Sequence, residues 1–289
     1  MSRWWAEIPM RETLRVELRP AQLKLSRGAG WRSRAEASRA IDVPSDALFR
    51  PTQEDAHQLW RAGLDALASA LKAERGGLGR VAVVLSDHFV RYVLLPWNES
   101  LIADSERMAF ARHAFREVYG PASDGWEVCL DEQPTGQRFF AAAVDRALVD
   151  GLREIVSGLG GRLVLLTPAL ADCINRHRRM LAEREFCLAM VELGRVSFAF
   201  RGRNGWAAVR SRRMEGTLAE ALPTLLKQEA IAASVADGGV LYLCAAELAD
   251  VPPFSVPGWR LIRFVDEQPR SRSSRRERSA VLSGLERSG

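Results

Sequence analysis

The sequence predicts an α/β protein built from two related lobes. Short apolar runs typical of strands alternate with segments that repeat apolar residues at helical spacing. An order of three strands, a helix and a further strand occurs in each half of the 289 residues. These patterns predict a first lobe at 1–180 with inserted strands and helices, a reduced second lobe at 181–267, and a tail at 268–289.

Strands of the first half are predicted from runs rich in aliphatic residues. The segment 13–26 alternates apolar and polar residues and predicts a hairpin that turns at Pro20, whereas the polar segment 28–50 predicts a loop. Two consecutive apolar runs predict a central hairpin at 80–95. Further strands are predicted at 125–130, 138–144 and 162–166.

Helices are predicted where apolar residues recur three and four positions apart. The strongest such pattern is 52–72, in which leucines form one stripe and Thr52 is the expected N-cap. Asp145 or a neighbouring residue is the expected cap of a later helix. The other helices of the first half are predicted at 105–119, 145–159 and 168–180.

The second half repeats this order with fewer insertions. Apolar strands flank Gly194, and Asn204–Gly205 predicts a tight turn before the third strand. Its elements are predicted as strands at 186–193, 195–201 and 206–212, a helix at 218–233, and strands at 239–244 and 259–264.

Three segments resemble a known family. The stretch VAVVLSDHFVRYVLLPW at 81–97 resembles the strand, turn, strand and Leu-Pro-Trp segment of the GspL proteins of type II secretion and the related PilM proteins of type IV pili. The segment at 188–200 resembles their second phosphate-binding hairpin, and 162–170 resembles the strand and helix that link their lobes. The resemblance covers roughly 13–265 and implies a duplicated actin-like, ribonuclease H-like fold.

The same resemblance implies a scaffold or adaptor of an inner-membrane platform that assembles a type IV pilus or a type II secretion system. Such a protein would bind the cytosolic segment of a membrane-anchored partner at a strand edge or in a groove, and could form homo-oligomers. No apolar run reaches the ~18–20 residues that span a bilayer. We therefore expect a PilM-like cytoplasmic protein, attached to the inner membrane through its partners.

The phosphate-binding loops depart from what ATP and Mg²⁺ require. Glycines let backbone N–H groups approach phosphate, and a carboxylate holds the hydrated metal. The first hairpin has Glu17 and Arg19 but no glycine. In the second, Glu192 stands where the family has Asp, and only Gly194 remains; the adenosine loop expected at 243–247 has no glycine pair. We therefore expect degenerate loops, no catalytic residue and no enzymatic activity. Mg-ATP is the cofactor that the fold would allow, and we do not expect it.

No other motif predicts a metal or a nucleophile. The four cysteines and four histidines are scattered without ligand spacing, so neither zinc nor a disulfide is expected. Ser86, Asp87 and His88 have the residue types of a catalytic triad. They are consecutive in a predicted strand turn, however, where neighbouring side chains point apart, so a turn is the preferred interpretation.

The formal net charge of +5 is concentrated at the C-terminal end, since residues 270–289 contain six arginines and two glutamates. This Ser/Arg-rich segment predicts a disordered tail. Binding of nucleic acid or anionic lipid through the tail is one alternative function, although the nearly neutral body makes nucleic acid an unexpected partner. The other alternative is an active actin-like ATPase or a sugar-kinase-like enzyme.

Two groups of residues are candidates for partner binding. Trp4 and Trp5 either anchor a partner or pack on their own domain. Arginines around the Asn204–Gly205 turn either form a solvated hairpin or bind phosphate or acidic lipid. The candidates in this second group are Arg203, Arg210, Arg212 and Arg213.

Overall fold

The computed structural model describes residues 13–28, 37–43, 55–74, 77–101, 103–131, 134–181, 183–245 and 252–264. Trp4, Trp5, Thr52 and the tail at 268–289 lie outside these ranges, and the lobe boundaries stay predictions.

The described strands, in chain order, are β1 (Thr13–Leu18), β2 (Gln22–Gly28), β3 (Ala37–Asp42), β4 (Arg80–Leu85), β5 (Val90–Leu95), β6 (Trp126–Leu130), β7 (Phe139–Asp145), β8 (Arg162–Pro168), β9 (Phe186–Glu192), β10 (Arg195–Gly202), β11 (Gly205–Arg213), β12 (Gly239–Cys244) and β13 (Trp259–Phe264). The described helices are α1 (Asp55–Lys72), α2 (Asp104–Tyr119), α3 (Arg146–Gly158), α4 (Ala169–His177) and α5 (Leu218–Ala232), with a short 3-10 helix at Gly120–Gly125.

Two five-stranded sheets share one connectivity. Their strand orders are β3-β2-β1-β4-β8 and β11-β10-β9-β12-β13. In each sheet the first three strands in the chain are antiparallel, a helix crosses over, and two parallel strands follow. The crossover helix is α1 in the first sheet and α5 in the second. The predicted duplication is confirmed.

Each sheet packs one face against helices. On β1, buried Leu14, Val16 and Leu18 alternate with half-buried residues, as expected for a strand with one face on a core. They pack in one cluster with residues of α1 and α3. In the second sheet all residues of β9 are buried, because this central strand has core on both faces.

The insertion between β4 and β8 forms a third sheet of order β5-β7-β6. The predicted strand pair is confirmed, since β6 and β7 are antiparallel. Helix α2 covers this sheet through Ala111 and Phe115. Phe115, Tyr119 and Trp126 form a ring cluster with centroids 5.2 to 6.1 Å apart. Asp145 caps α3 as expected, accepting a hydrogen bond from the N–H of Ala147 at 2.9 Å.

The predicted central hairpin at 80–95 is wrong. Strand β4 lies between its parallel partners β1 and β8, whereas β5 pairs with β7 in the third sheet. With both edges of β4 occupied, the turn at 86–89 sends the chain into a different sheet instead of closing a hairpin. Sequence patterns mark strands but do not choose among partners of similar hydrophobicity.

The loop predicted at 28–50 is also wrong in part, since β3 pairs antiparallel with β2. This edge strand, ASRAID, is mostly exposed and therefore lacks an apolar pattern. Strand β8 is likewise an edge strand and is half-buried rather than buried. The tight turn is one residue earlier than predicted: Arg203 and Asn204 connect β10 to β11, and Gly205, with a φ of 104°, opens β11.

None of the described helices has the length and apolar character of a membrane span.

Candidate functional site between the lobes

Glu17 lies near the end of β1, and its carboxylate is held by two arginines. Arg15 Nε donates to Oε1 at 3.1 Å, and Arg19 Nη2 donates to Oε2 at 2.8 Å. Burial alone would raise the pKa of Glu17, but the charges of Arg15, Arg19 and Lys24 lower it to about 2. The carboxylate is therefore ionised, and its strongest interactions are with side chains of its own hairpin.

A second carboxylate extends this ionic network to α4. Asp172, which is 1% exposed, accepts hydrogen bonds from Arg15 at 3.2 and 2.6 Å. Arg176, one helical turn further on, lies 2.9 Å from the same carboxylate. Helix α4 is thereby fastened to the β1 face that carries Glu17.

The second hairpin contacts the first lobe directly. The backbone N–H of Asp87 donates to Glu192 Oε2 at 2.8 Å, and His88 Nε2 lies 2.9 Å from the carbonyl oxygen of Leu193. Burial, together with the charges of Arg195 and Arg91, lowers the pKa of His88 to about 4. The neutral imidazole therefore donates to this carbonyl. We call these two hydrogen bonds the interlobe joint.

Asp87 organises the first-lobe side of this joint. Its side chain is fully buried and accepts hydrogen bonds from the Tyr92 hydroxyl at 2.7 Å and from the N–H of Leu170 at 3.3 Å. Burial raises its pKa, although hydrogen bonds and the charge of Arg195 oppose that rise. Asp87 thus connects the end of β4 to β5 and α4.

Ser86, Asp87 and His88 do not form a triad. The Ser86 hydroxyl accepts from the N–H of His88 at 3.2 Å, whereas the other two side chains bind different partners. The residue types of Ser86, Asp87 and His88 predict only a turn, and the part that Asp87 and His88 take in the interlobe joint is not predicted from the sequence. Three polar residues between two apolar runs were the available signal.

The remaining loop positions have structural explanations. Gly194 has a φ of 72° and, with Leu193, forms the turn between β9 and β10, a conformation that favours glycine. At the loop that the resemblance assigns to adenosine, β12 ends in buried Cys244. Burial and a hydrogen bond to Cys244 raise the pKa of Cys173 well above its ordinary value. The glycine pair Gly238–Gly239 lies at the opposite end of β12, away from the expected adenosine loop at 243–247.

Beside the interlobe joint lies a groove of about 560 Å³ between β5 and β11. We call it the arginine groove, because five arginines line it together with apolar residues such as Val118 and Tyr119. The five are Arg91, Arg138, Arg195, Arg210 and Arg212.

The structure divides the predicted arginine candidates. Arg210 and Arg212 line the arginine groove. Arg203 lies at the tip of the hairpin, 3.3 Å from Glu185, and Arg213 lies 3.4 Å from Glu215, and neither lines the groove. Within the described ranges, no group of three or more potential metal ligands is present.

No protein-family model and no curated protein matches the chain. Among solved structures it is similar to the cytoplasmic domain of EpsL, an inner-membrane component of the type II secretion system of Vibrio cholerae, with a TM-score of 0.53 and 13% identity over 88% of this chain and 90% of that one. It is similar to the PilM-PilN type IV pilus biogenesis complex, with a TM-score of 0.58 and 18% identity over 83% of each chain.

A third similar structure is a protein of unknown function from Bacteroides thetaiotaomicron with an actin-like ATPase fold. Its TM-score is 0.52, with 11% identity over 83% of this chain and 85% of that one. The expected resemblance to GspL and PilM proteins is thus confirmed at the level of the fold. The chain has the two-lobed actin-like fold.

Proposed function

We propose that this chain is a non-catalytic adaptor of a pilus or secretion assembly platform that binds the cytosolic segment of a membrane-anchored partner. The absence of catalytic activity in this proposal is supported by one observation, the pairing of Glu17 with Arg15 and Arg19. In a nucleotide site of this fold, a carboxylate here would face hydrated Mg²⁺.

Placing a triphosphate at this hairpin would cost free energy in two ways. The phosphates would have to take Arg15 and Arg19 away from Glu17, which would leave a largely buried carboxylate unpaired. They would also bring negative charge close to Glu17 and Asp172 without the backbone N–H donors that glycines provide. These residues do not fit Mg-ATP.

The interlobe joint supports the same proposal. It joins the turn after β4 to the turn after β9 by hydrogen bonds of 2.8 and 2.9 Å. A lobe movement that admits a nucleotide at these turns would break both bonds and expose the buried carboxyl of Asp87. The arrangement suits a permanently closed pair of lobes that presents its outer surfaces to other proteins.

The partner class is supported by the similar structures. One is part of an inner-membrane component of a secretion system, and the other is a complex of pilus biogenesis proteins. The structural similarity to each of them extends over more than four fifths of this chain. By this proposal the chain works at the inner membrane through its partner.

Affinity capture from detergent-solubilised membranes of the source organism tests the proposal. We expect the full-length chain, expressed at native levels with a tag, to retain a membrane-anchored protein whose cytosolic segment alone binds the purified chain. A chain that elutes alone at every concentration, and that binds no cytosolic segment of any inner-membrane protein in its own operon, would contradict the adaptor role.

A further inference from the structure

The arginine groove lies where two sheets meet. In the described part of the chain, β5 is an edge strand of the inserted sheet and β11 is an edge strand of the second-lobe sheet. Their Cα atoms approach to within 8 Å. Two strands that flank an added third strand would lie about 9.5 Å apart. The space between these two edge strands is therefore too narrow for an added strand. A ligand of the groove must bind through contacts with the side chains that line it.

The charges in the arginine groove are poorly compensated. Its lining includes five arginines and no acidic residue. Glu229 of α5 is buried and pairs with Arg212, and it lies 3.8 Å from Arg210. Arg91, Arg138 and Arg195 make no ion pair within 4 Å with any residue that the structure describes, although the charge of Arg195 also acts on buried Asp87 behind the groove. The groove therefore has an excess of positive charge.

Two of these arginines, Arg91 and Arg195, line the same groove and repel each other. Burial and the neighbouring charge of Arg195 both lower the pKa of Arg91. The hydrogen-bond partners of Arg91 are the carbonyl oxygens of His88 and Val90, and Arg195 Nε is buried without a hydrogen-bond partner. An anion between the two guanidinium groups would relieve this repulsion and provide the missing acceptor.

The shape of the groove favours an extended chain over a compact anion. Its arginines are spread over three strands (β5, β10 and β11) and the segment before β7, where Arg138 reaches across to the Ala207 carbonyl oxygen at 3.2 Å. Val118, which is exposed, and Tyr119 give one wall an apolar surface. A segment that alternates carboxylates with apolar side chains would satisfy both parts of the lining.

We propose that the arginine groove binds an extended acidic segment of a partner protein, with carboxylates on Arg91, Arg138, Arg195 and Arg210. This proposal names the chemistry of the segment that the adaptor would bind. The identity of the segment as part of a membrane-anchored partner rests on the proposed function. The acidic preference rests on the groove alone.

Fluorescence anisotropy with a short labelled peptide of alternating glutamate and valine tests the preference. We expect saturable binding to the full-length protein, and no binding of the same peptide with lysine in place of glutamate. Arg138→Glu and Arg210→Glu should each weaken binding about tenfold or more, because reversing one charge of a complementary pair adds repulsion.

Arg203→Glu is the matched control. It makes the same change of charge on the same hairpin but outside the groove, and we expect an affinity within about twofold of wild type. Circular dichroism and the thermal midpoint check that each variant folds. If Arg210→Glu is unstable, Arg210→Gln and the exposed Arg138 still test the groove.

Three results would overturn the proposal. They are equal binding of the lysine peptide, unchanged binding by both groove variants, and preferential binding of RNA or phosphatidylglycerol vesicles through these arginines without binding of the acidic peptide. Repeating the membrane capture with Arg138→Glu separates the two proposals. If capture persists while peptide binding is lost, the groove assignment fails and the adaptor role stands. If the acidic peptide binds and wild type captures no partner, the adaptor role fails.

Discussion

Glu17 shows how neighbouring charges fix the ionisation of one carboxylate. Its pKa is lowered to about 2 from an ordinary value of 4.5 because arginine and lysine charges outweigh burial. A folded-state pKa below the unfolded value stabilises the native protein above the unfolded pKa, and the stabilisation disappears as the pH falls through the folded pKa.

We therefore predict that Glu17→Gln lowers the free energy of unfolding by about 3 kcal/mol above about pH 5. The difference from wild type should shrink between about pH 4.5 and pH 2, because wild-type Glu17 becomes neutral there. Urea unfolding across this pH range measures it. The exposed Glu99→Gln should change stability by less than about 0.5 kcal/mol. Wild-type and Glu17→Gln stability curves that stay parallel down to pH 2 would contradict the ionic role.

At the scale of elements, the packing of α1 against α3 depends on a glycine. A Cβ atom added to Gly151 would lie 2.6 Å from Leu64 Cδ1, whereas one added to Gly158 of the same helix would have nothing within 4 Å. The small side chain at Gly151 lets the two helices approach closely.

We expect Gly151→Val to destabilise the protein by about 1–3 kcal/mol, because the half-buried Leu64 side chain, which packs against the core, must move to make room. Gly158→Val should be nearly neutral, since valine has a slightly better helix propensity than glycine and its Cβ would meet open space. Chemical denaturation of both variants checks this. Equal effects of the two substitutions would show that helix propensity, and not close packing, decides the result.

The elements that the sequence predicts well are those whose burial follows a period. Strand β9 is wholly buried and α3 carries a clear apolar stripe, and both were predicted within a residue or so. Strand β3 was missed because an exposed edge strand needs no apolar pattern. Strand β5 was assigned to the wrong partner because pairing depends on which edges are free, which no local pattern records.

The candidate site was predictable only in part. Glu17, Arg19, Glu192 and Gly194 stood out because the resemblance assigns their positions to phosphate loops. The interlobe joint links Asp87 to a residue 105 positions away, and although three polar residues between two apolar runs mark the turn, no local pattern identifies its partner. The arginine groove likewise combines Arg91 of the inserted sheet and Arg138, which precedes that sheet's strand β7, with arginines of the second-lobe sheet.

At the scale of the whole molecule, each of the duplicated sheets carries one of the two hairpin turns that the resemblance assigns to phosphate binding. Here the first turn is held by an ionic network and the second by the interlobe joint. By our proposal, these contacts within the chain take the place of contacts to Mg-ATP. By the same proposal, the fold serves as a closed two-lobed frame with the arginine groove on its surface.

The most direct test of this view is isothermal titration calorimetry of the purified full-length protein with Mg-ATP, with magnesium chloride alone as the control. We predict no binding heat up to millimolar nucleotide, and no rise in the thermal midpoint, because a ligand that binds only the native state must raise it. Saturable Mg-ATP binding with low micromolar affinity would contradict the account.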